Sequence, residues 1–134
     1  MIEPIEASLK AMTADSDSQH KSILVVEDDI QALEALTALL ESSGYTVARA
    51  QNGREALSVL GNVDSQPCLI LLDLSMPVMD GWEFLRSQRS QPAIASIPVI
   101  VITALVSAVP AGAKGLVTKP IDVSRLLTLV QRYC

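Results

Sequence analysis

Four apolar runs in this chain of 134 residues are each followed by polar side chains that could do chemistry. The runs and the residues that close them are Ile23–Val26 with Glu27, Asp28 and Asp29, Leu69–Leu72 with Asp73, Val99–Ile102 with Thr103, and Gly115–Thr118 with Lys119. Carboxylates for a divalent metal, a further carboxylate, a hydroxyl and an ammonium group are the components of a phosphoryl-transfer site. The pattern therefore indicates transfer of a phosphoryl group onto a carboxylate.

The elements that must position these side chains alternate along the chain. The four apolar runs are short and rich in branched residues, which is typical of strands covered on both faces. Tyr45–Ala50 is a fifth, more mixed strand, and amphipathic helices are predicted at Ile30–Leu40, Arg54–Leu60, Trp82–Gln88 and Val123–Tyr133. This order predicts an α/β fold, a doubly wound five-stranded parallel sheet with helices on both faces. The carboxyl ends of such strands share one edge, where ligands bind.

A divalent metal is the simplest explanation for the acidic residues at that edge. Glu27 or Asp28 and, from another strand, Asp73 can converge on Mg²⁺ or Mn²⁺, which prefer oxygen ligands. Packing these carboxylates together without a cation would be costly. Asp73 is then the candidate nucleophile, while Lys119 would pair with one phosphate oxygen and Thr103 would donate a hydrogen bond to another. Taken alone, the last two also have structural explanations, as a solvated lysine and a β-branched strand residue.

The sequence around these residues resembles the receiver domains of two-component response regulators. The resemblance covers most of the chain, from about Lys21 to Cys134, and rests on the blocks Val25–Asp29, Leu71–Gly81, Val101–Ala104 and Thr118–Pro120. It implies a flavodoxin-like fold with strand order 2-1-3-4-5, an order that comes from the chemotaxis receivers and not from these residues.

The resemblance also implies a role for each site residue. The implied roles are phosphoacceptor for Asp73, metal ligands for Glu27, Asp28, Asp73 and the backbone carbonyl of Ser75, and contacts to the phosphoryl group for Thr103 and Lys119. Pro77, Asp80 and Gly81 would shape the loop after the acceptor, and Pro120 would follow Lys119 in a cis peptide bond. Asp29 falls outside the metal pair, in a helix-cap position.

These roles predict a single-domain response regulator within a Mg²⁺-dependent phosphorelay. Asp73 would receive the phosphoryl group from a sensor histidine kinase or a histidine phosphotransfer protein, and the signal would pass by binding a downstream protein. The protein would not be an enzyme beyond its own phosphorylation and dephosphorylation. The alternative is a receiver-like protein-binding module that works without phosphate. An aspartyl-phosphate hydrolase is disfavoured because Ser75 stands where those enzymes carry a second aspartate.

Two departures from the family concern how a signal would leave the domain. Only Leu105–Ala111 is available for the helix that receivers carry between the fourth and fifth strands, and Pro110 disfavours a helix interior by about 3 kcal/mol. We therefore predict that this helix is missing or reduced to one turn. Leu116 replaces the usual aromatic residue that moves with the threonine, so we expect an unconventional structural output. Beryllofluoride-induced NMR shifts confined to the face that receivers build from their fourth helix, fifth strand and fifth helix would contradict this hypothesis.

Composition limits the remaining possibilities. A net charge of −5 argues against direct binding of nucleic acid. The absence of an apolar run of about 18 residues argues against membrane insertion, and the start shows no secretion signal, so we expect a cytoplasmic protein. Residues 1–20 are expected to be a flexible N-terminal leader and residues 21–134 the receiver domain. Cys68 and Cys134 are expected to be a small core residue and an exposed terminal one, without a disulfide.

Overall fold

Strands and helices alternate through the computed structural model, which describes residues 21–62, 66–74, 76, 78–104 and 110–134. The elements are β1 (Ser22–Val26), α1 (Ile30–Ser42), β2 (Thr46–Ala50), α2 (Gly53–Leu60), β3 (Leu69–Asp73), α3 (Gly81–Arg89), β4 (Val99–Thr103), β5 (Gly115–Thr118) and α4 (Val123–Tyr133). The expected leader at residues 1–20 lies outside the described residues. No helix in the described part of the chain has the length and apolar character needed to cross a bilayer.

All five strands run parallel in one sheet with the order β2-β1-β3-β4-β5. This arrangement confirms the predicted α/β fold and the strand order implied by the receiver resemblance. Val26 at the end of β1 lies beside Leu72 of β3, and Asp73 lies beside Ile102 of β4. The register therefore brings the polar residues that follow these strands to one edge of the sheet.

The core lies on both faces of the sheet because successive side chains of a strand point to opposite faces, and in each central strand both sets are apolar. One face of the sheet packs against α2 and α3, where Leu60 and Phe84 are fully buried. The other face packs against α1 and α4, where Leu40 and Leu126 are fully buried. Burial of one such large side chain stabilises the fold by roughly 1.5–3 kcal/mol. The strands, packed between these two layers of helices, hold the polar edge of the sheet in place.

Polar caps fix where the helices begin at that edge. The carboxylate of Asp29 accepts hydrogen bonds from the N–H groups of Gln31 and Ala32, which confirms its predicted role as the cap of α1. Asp122 caps α4 in the same way, by accepting from the N–H of Arg125. Asp29 therefore stays engaged with its helix, and the adjacent Asp28 is left for the site.

The connection between β4 and β5 contains no helix among its described residues, Ala104 and Pro110–Lys114. Pro110 is buried, and its carbonyl accepts a hydrogen bond of 3.1 Å from the N–H of Ala113 to close a turn. The guanidinium of Arg89, the last residue of α3, donates a hydrogen bond to the carbonyl of Ala111. Leu105–Val109, on which the predicted loss of a helix depends, lie outside the described residues, so that part of the prediction remains untested.

The prediction of two unpaired cysteines is wrong. Cys68, directly before β3, forms a disulfide with Cys134, directly after α4, and their Cα atoms are 5.4 Å apart. In a parallel α/β fold the helices run opposite to the strands, so the end of α4 returns to the amino ends of the strands. The two residues meet there, at the sheet edge opposite the polar one.

Candidate functional site

The polar residues predicted from the sequence lie at the carboxyl ends of β1, β3, β4 and β5. Asp73 is the last residue of β3 and Thr103 the last of β4, and both are buried. Glu27 directly follows β1 and is only 2% exposed. Lys119 directly follows β5, and its N–H donates a hydrogen bond of 2.8 Å to the carbonyl of Thr103. Charged groups so deeply enclosed by an apolar core need partners.

Three carboxylates form the centre of this site. Glu27, Asp28 and Asp73 each offer an oxygen, and these oxygens lie within 4.8 Å of one another. Glu27 and Asp73 are buried, whereas Asp28 is exposed, so one side of the cluster faces solvent. A group of hard oxygen ligands with room for water on one side fits Mg²⁺, which usually retains several waters. The donor set therefore fits the predicted metal.

In the described part of the chain, Lys119 is the cationic side chain that contacts the three carboxylates directly. Its Nζ lies 3.1 Å from Oε1 of Glu27 and 3.7 Å from Oδ2 of Asp73. The other carboxylate oxygen of Glu27, Oε2, accepts a hydrogen bond of 3.2 Å from the N–H of Asp29. Both oxygens of the most deeply buried carboxylate are therefore engaged, and the ammonium group bridges it to the candidate acceptor.

The pKa values of this pair follow from burial and proximity. The pKa of Glu27 is raised above its ordinary value of 4.5, chiefly by burial. The hydrogen bonds from the backbone N–H of Asp29 and from Lys119 lower this pKa, whereas the charge of Asp73 adds to the increase. Burial acts to lower the pKa of Lys119, but the hydrogen bond to Glu27 and the neighbouring carboxylate charges outweigh this effect and raise it. Lys119 is therefore firmly protonated, as a group that contacts a phosphoryl oxygen should be.

The first residue of α3, Gly81, lies closely against the end of β3. A Cβ atom added to Gly81 would lie 2.7 Å from the carbonyl oxygen of Asp73 and 2.6 Å from the Cα of Leu74, so only glycine fits there. The side chain of Asp80 accepts from the N–H of Glu83 and caps α3. This agrees with the expected shaping role of both residues, although Ser75 and Pro77 lie outside the described residues. The Lys119–Pro120 peptide bond is cis, as the resemblance implied.

An apolar groove of about 270 Å³ opens beside the carboxylates, and sequence reasoning missed it. It runs between α1 and the segment that leads into α4, and Glu27 and Lys119 line the end nearest the site. The apolar side chains that line it are Ala32, Ala35, Leu36, Leu39, Ile121 and Val123. The sequence does contain a signal for this groove. Helix α1 carries more apolar residues than its buried row of Leu33, Leu36 and Leu40, and the additional ones line the groove.

Comparison with known proteins decides the family of this chain. The family model of the response regulator receiver domain matches residues 23–131. The chain belongs to the receiver-domain family. This receiver is 31% identical over 119 residues to the polar-differentiation response regulator DivK of Brucella anthropi, a match that covers 84% of this chain and 95% of DivK.

Solved structures of other receivers share the fold. The receiver is similar to the chemotaxis response regulator CheY4 of Vibrio cholerae, with a TM-score of 0.76, 31% identity, and coverage of 84% of this chain and 98% of that one. It is also similar to the receiver domain of the sensor histidine kinase PA1611 of Pseudomonas aeruginosa, with a TM-score of 0.75, 30% identity, and coverage of 84% and 96%. That structure has a magnesium ion coordinated in its active-site cleft.

Proposed function

We propose that this receiver is a single-domain response regulator that accepts a phosphoryl group on Asp73 and signals by binding a downstream protein. The observation that carries the proposal is the position of Asp73: it is buried at a strand end, among two other carboxylates within 4.8 Å and an ammonium group at 3.7 Å. In this proposal residues 21–134 form the receiver, residues 1–20 precede it as a leader, and the protein works in the cytoplasm.

The chemical step is a displacement at phosphorus. A carboxylate oxygen of Asp73 forms the new O–P bond as the N–P bond of a phosphohistidine breaks, and the imidazole leaves with the electron pair and takes a proton from solvent. The ammonium group of Lys119 would move from its present contacts toward a phosphoryl oxygen, where its positive charge offsets charge that develops in the transition state. The hydroxyl of Thr103 would donate a hydrogen bond to a second oxygen.

The metal site belongs to the same proposal. Glu27, Asp28 and Asp73 would hold Mg²⁺ or Mn²⁺, with the carbonyl of Ser75 as a further ligand. When bound, the cation neutralises the carboxylates and the incoming phosphoryl group. Without the metal, Lys119 is the cationic side chain among the described residues that contacts the carboxylates, so removal of the metal by a chelator should stop phosphoryl uptake.

Uptake of phosphate by the wild-type protein tests the proposal. Incubated with acetyl phosphate and Mg²⁺, the receiver should gain one phosphoryl group by intact mass, and no gain should occur in EDTA. A phosphorylated histidine phosphotransfer protein serves as a second donor. If both donors leave the mass unchanged while circular dichroism shows an intact fold, the protein is a phosphate-independent binding module instead.

The apolar groove is the surface on which we propose that the phosphodonor protein docks. A donor histidine must reach Asp73 from the open side of the site, and the groove continues from Glu27 and Lys119 along α1. Ile30 and Val123 are large apolar residues at this end of the fold and are 44% and 48% exposed. Apolar contacts beside a buried charged site are typical of the centre of a protein interface.

Ala35→Arg should slow transfer from a phosphorylated histidine phosphotransfer protein while leaving uptake from acetyl phosphate unchanged. Ala35 is exposed and lines the groove, so a long charged side chain would block a protein but not a small molecule. A loss of about tenfold in the transfer rate corresponds to about 1.4 kcal/mol. Ala38→Arg, an exposed position of α1 outside the groove lining, is the matched control. Equal transfer rates for the two variants would place the donor elsewhere.

A further inference from the structure

The two cysteines of the chain form a site that the phosphoryl chemistry does not use. Cys68 and Cys134 are 66 residues apart in sequence, yet their Cα atoms lie 5.4 Å apart, within the range of about 4.4–6.8 Å that a disulfide requires. The sequence contains no other cysteine, so neither has a competing partner within the chain. We propose that this pair is a reversible oxidation site that sets the stability of the receiver without altering its phosphoryl chemistry.

Packing, and not the covalent bond alone, holds the two sulfur atoms together. The N–H of Cys68 donates a hydrogen bond of 2.8 Å to the carbonyl of Ser22, which fixes it to the amino end of β1. The N–H of Cys134 donates 2.9 Å to the carbonyl of Val130, a fully buried residue of α4. Both cysteines pack against the same core cluster as Tyr133. The reduced thiols therefore stay adjacent, which gives ring closure a high effective concentration.

Exposure makes the pair accessible to exchange. Both cysteines are half-buried, so a small disulfide can reach them from solvent. In a cytoplasm that keeps thiols reduced, disulfides are usually transient and redox-sensing. This part of the inference rests on the cytoplasmic placement proposed above.

The exchange balances with a low-molecular-weight disulfide such as oxidised glutathione. One cysteine thiolate attacks the glutathione disulfide, forms a mixed disulfide and releases one glutathione thiolate. The second cysteine thiolate then attacks the protein sulfur of the mixed disulfide, forms the Cys68–Cys134 bond and releases the second glutathione. The two cysteines are oxidised, two glutathione thiols are formed by reduction, and these take up the two protons that the cysteines lose.

The position of the bond determines its effect. The closed loop contains β3, α3, β4, β5 and α4, so oxidation restricts the unfolded chain over a long segment. It also ties the last turn of α4 to the sheet. The five residues of β3 separate Cys68 from the end of the strand at Asp73, a distance on the order of 17 Å. We therefore expect a large change in stability and none in the rate of phosphorylation.

The test equilibrates the wild-type protein with reduced or oxidised glutathione, counts free thiols by alkylation and intact mass, and measures the melting temperature of each form. The oxidised form should have no free thiol and melt on the order of 10 °C above the reduced form. Cys68→Ser and Cys134→Ser should show no such redox-dependent difference. Because reduced wild type is the reference, a folding defect in either variant does not affect the conclusion.

Three results would overturn the proposal: two free thiols under oxidising conditions, a stable mixed disulfide on one cysteine, or equal melting temperatures for the two forms. Phosphoryl uptake from acetyl phosphate is measured on both forms in the same experiment. A redox-dependent rate would contradict the claim that the bond leaves the chemistry unaltered. Absence of uptake in both forms would overturn the proposed function and leave the redox result standing.

Discussion

Asp73→Asn is expected to take up no phosphoryl group and, in metal-free buffer, to be more stable than the wild-type receiver. The amide cannot form an acyl phosphate, so the adduct from acetyl phosphate should disappear. The gain in stability comes from Glu27, whose pKa is raised by burial and by the charge of Asp73. Removing that charge relieves part of the repulsion, and we expect about 1 kcal/mol in the free energy of unfolding.

Urea unfolding with and without Mg²⁺ measures both sides of this prediction. Metal at tenfold excess over its Kd should stabilise the wild type by about 1.4 kcal/mol through mass action, and the variant by less because one ligand is lost. The expected loss of phosphoryl uptake together with a gain in the free energy of unfolding is informative, because a variant that is more stable than the wild type has not lost its activity by unfolding. An adduct that persists on Asp73→Asn would assign the acceptor to another residue. Equal unfolding midpoints in every condition would disprove the acidic cluster as a metal site.

Lys119→Met should slow phosphorylation by acetyl phosphate about 100-fold, the usual loss for one preorganised electrostatic group at a transition state. Methionine keeps much of the length of the side chain but removes the ammonium group that lies 3.1 Å from Glu27 and 3.7 Å from Asp73. Lys119→Arg is the control, because it keeps the positive charge and should retain more of the rate. Equal rates in Lys119→Met and the wild type would remove Lys119 from the chemistry.

Lys119→Met should also lower the free energy of unfolding, by an amount that depends on pH. Because the pKa of Glu27 is raised in the folded protein, its contribution to stability is present below its unfolded value of 4.5 and is lost as pH rises through the folded value. Lys119 lowers that pKa, so Lys119→Met raises it further and enlarges the loss near neutrality. We expect a deficit of about 1–3 kcal/mol near pH 7 and a smaller one near pH 5, measured by urea unfolding without metal. A deficit independent of pH would contradict this account.

Much of the fold and of the site could be predicted because the sequence signals were local. Unbroken apolar runs such as Ile23–Val26 are typical of strands covered on both faces, and parallel strands place their carboxyl ends together. The sequence thus predicts that the residues that follow, Glu27 and Asp73 among them, share one edge, and the structure places both in one cluster. The strand order came from family resemblance, since nothing in the apolar pattern distinguishes β1 from β4 as the neighbour of β2.

The features that were missed depend on contacts between distant parts of the chain. Composition and compartment do not predict the Cys68–Cys134 pair, which depends on the return of the last helix to the amino edge of the sheet. The groove beside α1 exists only because Ile121 and Val123 come opposite that helix in the folded chain. The apolar residues of α1 indicate one wall of the groove, but no local pattern in the sequence shows which segment lies opposite them.

The hydrogen bond from Arg125 of α4 to the carbonyl of Leu116 has a consequence for solubility. Leu116 lies in β5, which has one neighbour among the described strands, and the other side of an edge strand can pair with a strand of another molecule. The guanidinium lies 3.1 Å from that main-chain oxygen and places a hydrated positive charge against the strand. Charged side chains on edge strands oppose intermolecular sheet extension. We therefore expect Arg125 to oppose the pairing of β5 with a strand of another molecule.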